Sequence, residues 1–161
     1  MTGQGEKIGS ALAKAVKAAT GITAASLGAR LYRTNVRAVA PAEGARAEGW
    51  SDGETRLLID ETAAGAGHVV GWSVLKPGGR HSCHRLRHAD AFFMVLGGQG
   101  EVLTETGAEP CGDGDVIYAP RGAWHGFHNT SDEPMVLVWG VMGAGSAEAA
   151  GFEPVSPPSA P

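Results

Sequence analysis

Histidines are the residues of this sequence that are best suited to chemistry. Five of the six lie between positions 81 and 128: His81, His84, His88, His125 and His128. A neutral imidazole is a common ligand for zinc, iron, nickel and copper. The first three follow a Pro-Gly-Gly turn and the last two lie in a later strand-like run. Because one strand presents only alternate side chains to a given face, such a site needs two strands. The grouping therefore predicts a metal site shared by two strands.

A complete motif surrounds the later histidines. The pattern G(x5)PxG(x2)H(x3)N is matched from Gly114 through His125 to Asn129. Pro120 and Gly122 form its turn, because proline fixes φ and glycine accepts backbone conformations that other residues resist. His125 then opens a strand with its imidazole able to face inward. This pattern is the second motif of the cupin superfamily, which the sequence resembles.

The first cupin motif, G(x5)HxH(x3–4)E(x6)G, is matched only in part. Gly78 and His84 have the required spacing, but Leu86 stands where the family has its second histidine. Leu86 cannot bind a metal ion. His88 is the nearest imidazole that can replace the missing ligand.

Two registers are open for the glutamate of the first motif. In one, Asp90 takes its place, with six residues before Gly97. In the other, residues 94–100 align with the common family string YVLEGEG, so that Ala91 stands at the glutamate position and the carboxylate is lost. The sequence leaves both registers open.

The resemblance implies a small antiparallel jelly-roll barrel, usually dimeric, with a divalent metal near its mouth. Carried over by position, the metal ligands are His84 and His125, helped by His88 and Asp90. The expected metal is iron, zinc, nickel or manganese. Two histidines and one carboxylate are the ligand type of non-haem Fe(II) oxygenases. Adding His88 gives four ligands, which also suits zinc.

Other residues near the motifs are secondary candidates. Tyr118 is a candidate acid/base or hydrogen-bond donor in the cavity. His81 and His128 fit neither motif and are expected at the surface or behind the site. Four arginines are candidates to bind a carboxylate substrate, although solvated positions at the rim are their default: Arg80, Arg85, Arg87 and Arg121.

Short β-type runs separated by turn residues must position these side chains. Gly and Pro make up 34 of 161 residues, since there are 25 and 9 of them, which indicates many tight turns. The predicted runs are Leu31–Val39, Thr55–Thr62, His68–Leu75, Phe92–Leu96, Gly100–Glu105, Asp115–Tyr118, His125–Asn129 and Met135–Val141. We therefore predict an all-β fold, a cupin-type antiparallel jelly-roll barrel.

The predicted barrel covers residues 31–145. Residues 1–30 are expected to form a short helical or disordered N-terminal extension, because Ile8, Leu12 and Val16 recur at helical spacing. Residues 146–161 are expected to form a loose, proline-rich C-terminal tail.

Charge and hydropathy exclude several classes of function. The chain carries 13 Lys and Arg against 17 Asp and Glu, a net charge of −4, so it lacks the basic excess of a general nucleic-acid-binding protein. No apolar run is long enough to span a bilayer, and no secretory signal is expected. With Cys83 and Cys111 predicted to be free thiols, we expect a cytoplasmic protein.

Two classes of function remain. The first is a small metal-dependent enzyme acting on a polar or aromatic metabolite, by dioxygenase, isomerase or lyase chemistry. The second is a non-catalytic cupin that binds a small ligand and has lost its metal. An inward Asp90 favours the enzyme, whereas an inward Ala91 favours the binding protein. In either case a homodimer is expected.

Overall fold

One long strand, β2, holds the sheet of this protein together. The computed structural model describes residues 31–43 and 49–155. The strands in this part of the chain are β1 (Trp50–Ile59), β2 (His68–Leu86), β3 (Asp90–Gly97), β4 (Gln99–Thr104), β5 (Gly107–Gly112), β6 (Val116–Ala119), β7 (His125–His128), β8 (Met135–Met142) and β9 (Phe152–Pro154). Two one-turn helices accompany them, α1 (Glu61–Ala64) and α2 (Ala147–Ala150).

The strands form one antiparallel sheet in the order β5-β4-β7-β2-β8-β3-β6. β1 and β9 also pair with β2, so that β2 contacts four other strands. The sheet curls into a half-barrel. The prediction of an antiparallel all-β fold is confirmed.

β2 is longer than the sequence predicts. The expected strand ended at Leu75, before the turn-type residues Lys76 to Gly79, but the structure continues it to Leu86. The pairing register with β1 shifts beside these residues, between Ser51 and Gly53. Gly79 fits here because a Cβ at this position would lie 2.5 Å from the Asp52 carbonyl oxygen. The glycines therefore let the strand bend where they were expected to end it.

Elements near the ends of the chain also differ from the predictions. The run Leu31–Val39 is not a strand. Val36–Ala38 form a 3₁₀ turn that Asn35 caps, because its side chain accepts a hydrogen bond from the Arg37 amide. The helix predicted within residues 1–30 lies outside the described residues. α2 and β9 lie within the stretch that was expected to be a tail.

The largest fully buried core side chains come from β2, β7 and β8. Leu75, Phe127, Met135 and Leu137 are fully buried. Asn129, the last residue of the second motif, is also fully buried, and its amide donates hydrogen bonds to the carbonyls of Leu75 (2.9 Å) and Glu133 (2.7 Å). These bonds tie the loop after β7 to β2. None of the helices formed by the described residues is long and apolar enough to cross a membrane.

Candidate functional site

A cavity of about 180 Å³ lies inside the half-barrel and contains three imidazoles. An engineered cavity of about 150 Å³ binds benzene, so a space of this size suits a small ring system. The imidazoles are those of His81, His84 and His125. Most of the remaining wall is apolar, with aromatic and aliphatic side chains from Trp50, Leu57, Val69, Leu86, Ala91, Phe93, Trp139, Val141 and Phe152.

An irregularity in β2 places two of the imidazoles together. Residues three positions apart on a regular strand face opposite sides of the sheet. The β2–β7 register, however, shifts between the pairs His81–Phe127 and His84–His125, and both His81 and His84 face the cavity. Gly126 permits this close pairing, because a Cβ there would lie 2.6 Å from the His81 carbonyl oxygen. The shift therefore adds His81 to the site.

The burial of His81 differs from the sequence expectation. It was expected at the surface or behind the site, but only 5% of it is exposed. Its ring stacks on Trp50, with centroids 3.7 Å apart and planes 7° apart, and its centroid lies 4.4 Å from that of His84. His81 was missed because it belongs to neither motif, and alternation along a regular strand would also turn it away from the face that His84 occupies.

His84 and His125 face each other, with ring centroids 4.4 Å apart. The Nδ1 atom of His84 lies 3.0 Å from the Ser82 carbonyl oxygen, and that of His125 lies 2.9 Å from the Ala123 carbonyl oxygen. A carbonyl oxygen only accepts, so each neutral ring carries its proton on Nδ1 and a lone pair on Nε2. The Nε2 atom of His125 is buried without a hydrogen-bond partner among the described residues.

Burial keeps these two imidazoles neutral. The pKa of His84 is lowered to about 4, mainly by desolvation and also by the nearby His125, while the hydrogen bond to the Ser82 carbonyl opposes both effects. Desolvation likewise lowers the pKa of His125. At neutral pH both rings can therefore accept a hydrogen bond or bind a metal ion.

Aromatic side chains in the cavity wall are held in place by stacking and hydrogen bonds. Phe152 stacks on His84 at 4.7 Å between centroids. The indole Nε1 of Trp139 donates a hydrogen bond to Ser73 Oγ at 2.9 Å, and Ser73 Oγ is also 2.9 Å from Thr55 Oγ1. Trp139 therefore presents only its ring face and edge to the cavity, with its N–H already paired.

The structure contains the register that places Ala91 inward. Ala91 is 1% exposed and lines the cavity. The Asp90 carboxylate lies elsewhere and accepts a hydrogen bond from the Arg121 amide at 2.8 Å. His88 is exposed and does not line the cavity. Tyr118 is 58% exposed on β6. Of the predicted ligands, the structure brings together His84 and His125 but not His88 or Asp90.

The donor set of the cavity is smaller than the metal site that the resemblance implied. His84 and His125 occupy two of the four family positions, and the buried Nε2 of His125 suits a ligand. The other two positions hold Leu86 and Ala91, whose side chains are apolar. Among residues 31–43 and 49–155, no three His, Cys, Asp or Glu side chains are arranged to hold a metal ion. The residues present do not fit the complete family site.

The arginines near the site are paired outside the cavity. Arg85 binds Glu153 through two hydrogen bonds of 2.8 and 3.2 Å, and Arg87 binds the same carboxylate at 2.6 Å. These pairs lower the pKa of Glu153 to about 2 and fasten β9 to β2. Arg121 forms an ion pair with Asp90 at 3.5 Å.

Comparison with known proteins identifies this fold. The family model of the cupin domain matches residues 71–141. This region is a cupin domain. The match begins in β2 and ends in β8, so it contains both histidines that face each other.

Two curated proteins are similar to this cupin domain in sequence. Protein SchB from Streptomyces halstedii is 33% identical over 88 residues, which are 54% of this chain and 64% of that protein. Gentisate 1,2-dioxygenase from Ralstonia sp. is 32% identical over 79 residues, 48% of this chain and 22% of that protein. The chain therefore spans less than two thirds of either relative.

A solved structure shares the fold of the cupin domain. The polyketide cyclase RemF from Streptomyces resistomycificus superposes with a TM-score of 0.66 at 24% identity, over 81% of this chain and 89% of that chain. The family predicted from the two sequence motifs is confirmed.

Proposed function

We propose that the cupin domain is an enzyme that binds a small, flat, largely apolar molecule and acts on its polar group through His84 and His125. The observation that carries this proposal is the pair of neutral imidazoles facing an aromatic cavity. Phe93 and Trp139 provide flat surfaces for a ring, and the two Nε2 atoms provide acceptors at one place in the wall.

Proton-transfer chemistry suits this arrangement. A hydroxyl or enol group of the substrate would donate its proton to Nε2 of His125, and the negative charge would then be shared between the oxygen and the carbon next to the C–O carbon. That carbon would attack a carbonyl of the same molecule: the new C–C bond forms, the carbonyl π pair moves onto its oxygen, and this oxygen takes up the proton from His125. The polyketide cyclase that shares the fold acts, by its name, in ring closure, which supports a cyclase or lyase reaction for this chain.

The alternative is a protein that binds the same molecule without converting it. Ala91 favours this alternative, because the inward carboxylate that would complete the oxygenase-type ligand set is missing. Turnover of bound compounds separates the two possibilities.

A cavity-filling variant tests the proposed site. Ala91→Leu places a larger apolar side chain in the cavity, and we expect it to abolish the quenching of tryptophan fluorescence by two-ring aromatic compounds. Ala108→Leu, at an exposed position in β5, is the matched control and should bind like the wild type. Equal binding by both variants, or no binding by the wild type up to the solubility limit, would refute the proposal.

The metal remains a separate prediction. We expect any iron, zinc, nickel or manganese that the protein binds to depend on His84 and His125, although these two side chains do not make up the complete family site. Elemental analysis should show that His125→Ala lowers the metal content. Asp90→Asn should leave it unchanged, because Asp90 lies against Arg121. Loss of metal in Asp90→Asn would contradict the assignment of Ala91 to the cavity.

A further inference from the structure

We infer that the cavity selects an uncharged aromatic compound that donates a hydrogen bond, such as a phenol or naphthol, and that it rejects carboxylates. This inference rests on the proposed function, since it specifies which chemical class the same cavity takes. Three independent features support it: the acceptors at the imidazoles, the carboxylates that line the cavity, and the pairing of the nearby arginines.

The imidazole pair offers hydrogen-bond acceptors to a ligand. Both Nδ1 atoms already donate to backbone carbonyls at 3.0 and 2.9 Å, so the groups left for a ligand are the Nε2 acceptors. A buried acceptor without a partner is unfavourable by about 1–3 kcal/mol, and Nε2 of His125 is such an atom. A hydroxyl group on the ligand would satisfy it, whereas an ether or a carboxylate would not.

Asp60 and Glu61 add negative charge to the cavity lining. The Asp60 carboxylate caps α1, because it accepts a hydrogen bond from the Ala63 amide at 2.6 Å, which holds it in place. Glu61 is exposed at the first position of α1. An anion that enters the cavity would meet these two carboxylates and gain no compensating charge.

No Lys or Arg side chain is among the described residues that line the cavity. Arg85 and Arg87 are held by Glu153, and Arg121 is held by Asp90. The indole N–H of Trp139 donates its hydrogen bond to Ser73 and is therefore not available to an anion. Transfer of a carboxylate into this environment would remove its water without replacing the lost hydrogen bonds.

Three matched two-ring compounds test the inference: 2-naphthol, 2-methoxynaphthalene and 2-naphthoate. Each is titrated into the full chain at pH 7, where the naphthol is neutral, and binding is followed by tryptophan fluorescence and calorimetry. We expect 2-naphthol to bind about tenfold more tightly than its methyl ether, the ratio that one buried hydrogen bond gives. We expect 2-naphthoate to show no measurable binding.

Two variants test whether the His125 imidazole causes the preference for naphthol over its methyl ether. His125→Leu should bind naphthol and its methyl ether with equal affinity, so that the tenfold preference for naphthol is lost. If His125→Leu does not fold, His125→Gln supplies the second test. The amide of glutamine can donate as well as accept, so the tenfold preference for naphthol over its methyl ether should shrink.

The outcomes separate this inference from the proposed function. Binding of 2-naphthoate as tight as that of 2-naphthol would overturn the inference and leave the aromatic cavity standing. Equal binding of naphthol and its methyl ether would also overturn it. Failure of all three compounds to bind would refute the proposed cavity function itself.

Discussion

At the scale of single residues, the site depends on two local hydrogen bonds of the same form. His84 donates to the carbonyl of Ser82, and His125 donates to the carbonyl of Ala123, each two residues earlier in the chain. The orientation of each ring is therefore set within its own segment. Changes in the distant wall of the cavity should leave the two Nε2 atoms in place.

Burial of these imidazoles predicts a loss of stability in acid. The native pKa of His84 is about 4 against 6.5 for the unfolded chain, so the unfolded state binds a proton first as the pH falls. The contribution of His84 to the free energy of unfolding is complete above pH 6.5. It is lost between pH 6.5 and 4, a decrease of about 3 kcal/mol. His125, whose pKa is also lowered, adds in the same direction.

Urea unfolding of chelator-treated protein at pH 7 and pH 5 measures this effect. We expect the free energy of unfolding to fall by about 1–2 kcal/mol at the lower pH. His84→Phe, which cannot titrate, should lose the part of the dependence that His84 contributes, and His88→Gln, at an exposed position, should keep all of it. An unchanged dependence in His84→Phe would contradict the assignment. Glu153 titrates mainly below this range, because its pKa lies near 2.

The sequence predicted the facing pair at the residue scale, and two other positions show where such reasoning stops. His84 and His125 follow from motif spacing. The choice between Asp90 and Ala91 depends on the pairing of β3, where a shift of one residue exchanges the two faces. His81 faces the cavity only because of the register shift in β2, and no residue type in that stretch indicates this shift.

At the scale of elements, β2 and β8 set the position of the Trp139 ring. Gly71 of β2 pairs with Trp139 of β8. A Cβ at position 71 would lie 2.2 Å from two atoms of the indole ring. The ring lies against the bare backbone of β2, so this glycine makes room for the Trp139 side chain that lines the cavity.

Gly71→Ala should therefore displace Trp139 and destabilise the fold. We expect a loss of about 1–3 kcal/mol in the free energy of unfolding, the usual range for overpacking, together with a changed near-ultraviolet circular dichroism spectrum. Gly67→Ala is the matched control, since nothing lies within 4 Å of its added Cβ. Equal stability of the two variants would show that the ring moves aside freely.

Strand position was easier to predict than strand length. The runs at β3, β4, β6, β7 and β8 follow from apolar residues bounded by turn residues. Residues 76–79 have the composition of a turn, yet cross-strand pairing continues β2 through them. The hydrogen bonds of the sheet decide the outcome there, and local preference does not.

At the scale of the whole molecule, the outer face of β3 and β6 presents exposed apolar side chains: Met94, Leu96, Val116 and Tyr118. β6 is the last strand in the sheet order and pairs with β3. Its other edge carries no partner strand within the described sheet. An apolar face beside an open edge is typical of a surface that another chain covers.

We therefore keep the prediction of a homodimer and assign its interface to this face. Light scattering at micromolar concentration should give a mass near 33 kDa, twice the 16.5 kDa of one chain. Val116→Lys should shift the mass toward that of one chain. Val155→Lys, at a similarly exposed valine outside β3 and β6, should not. A wild-type mass of 16.5 kDa would contradict the prediction.

The four partners of β2 also have a consequence for how the chain reaches its native state. β8 pairs with β2 between Ser73 and Leu137, and β9 pairs with it between His84 and Pro154, so both pairings join distant parts of the chain. Closing such long loops is slow, and domains rich in these contacts fold in milliseconds to seconds. During synthesis on the ribosome, β8 can pair with β2 only after most of the chain has been made. Until then the apolar face of β2 stays open, which exposes this strand to aggregation during synthesis.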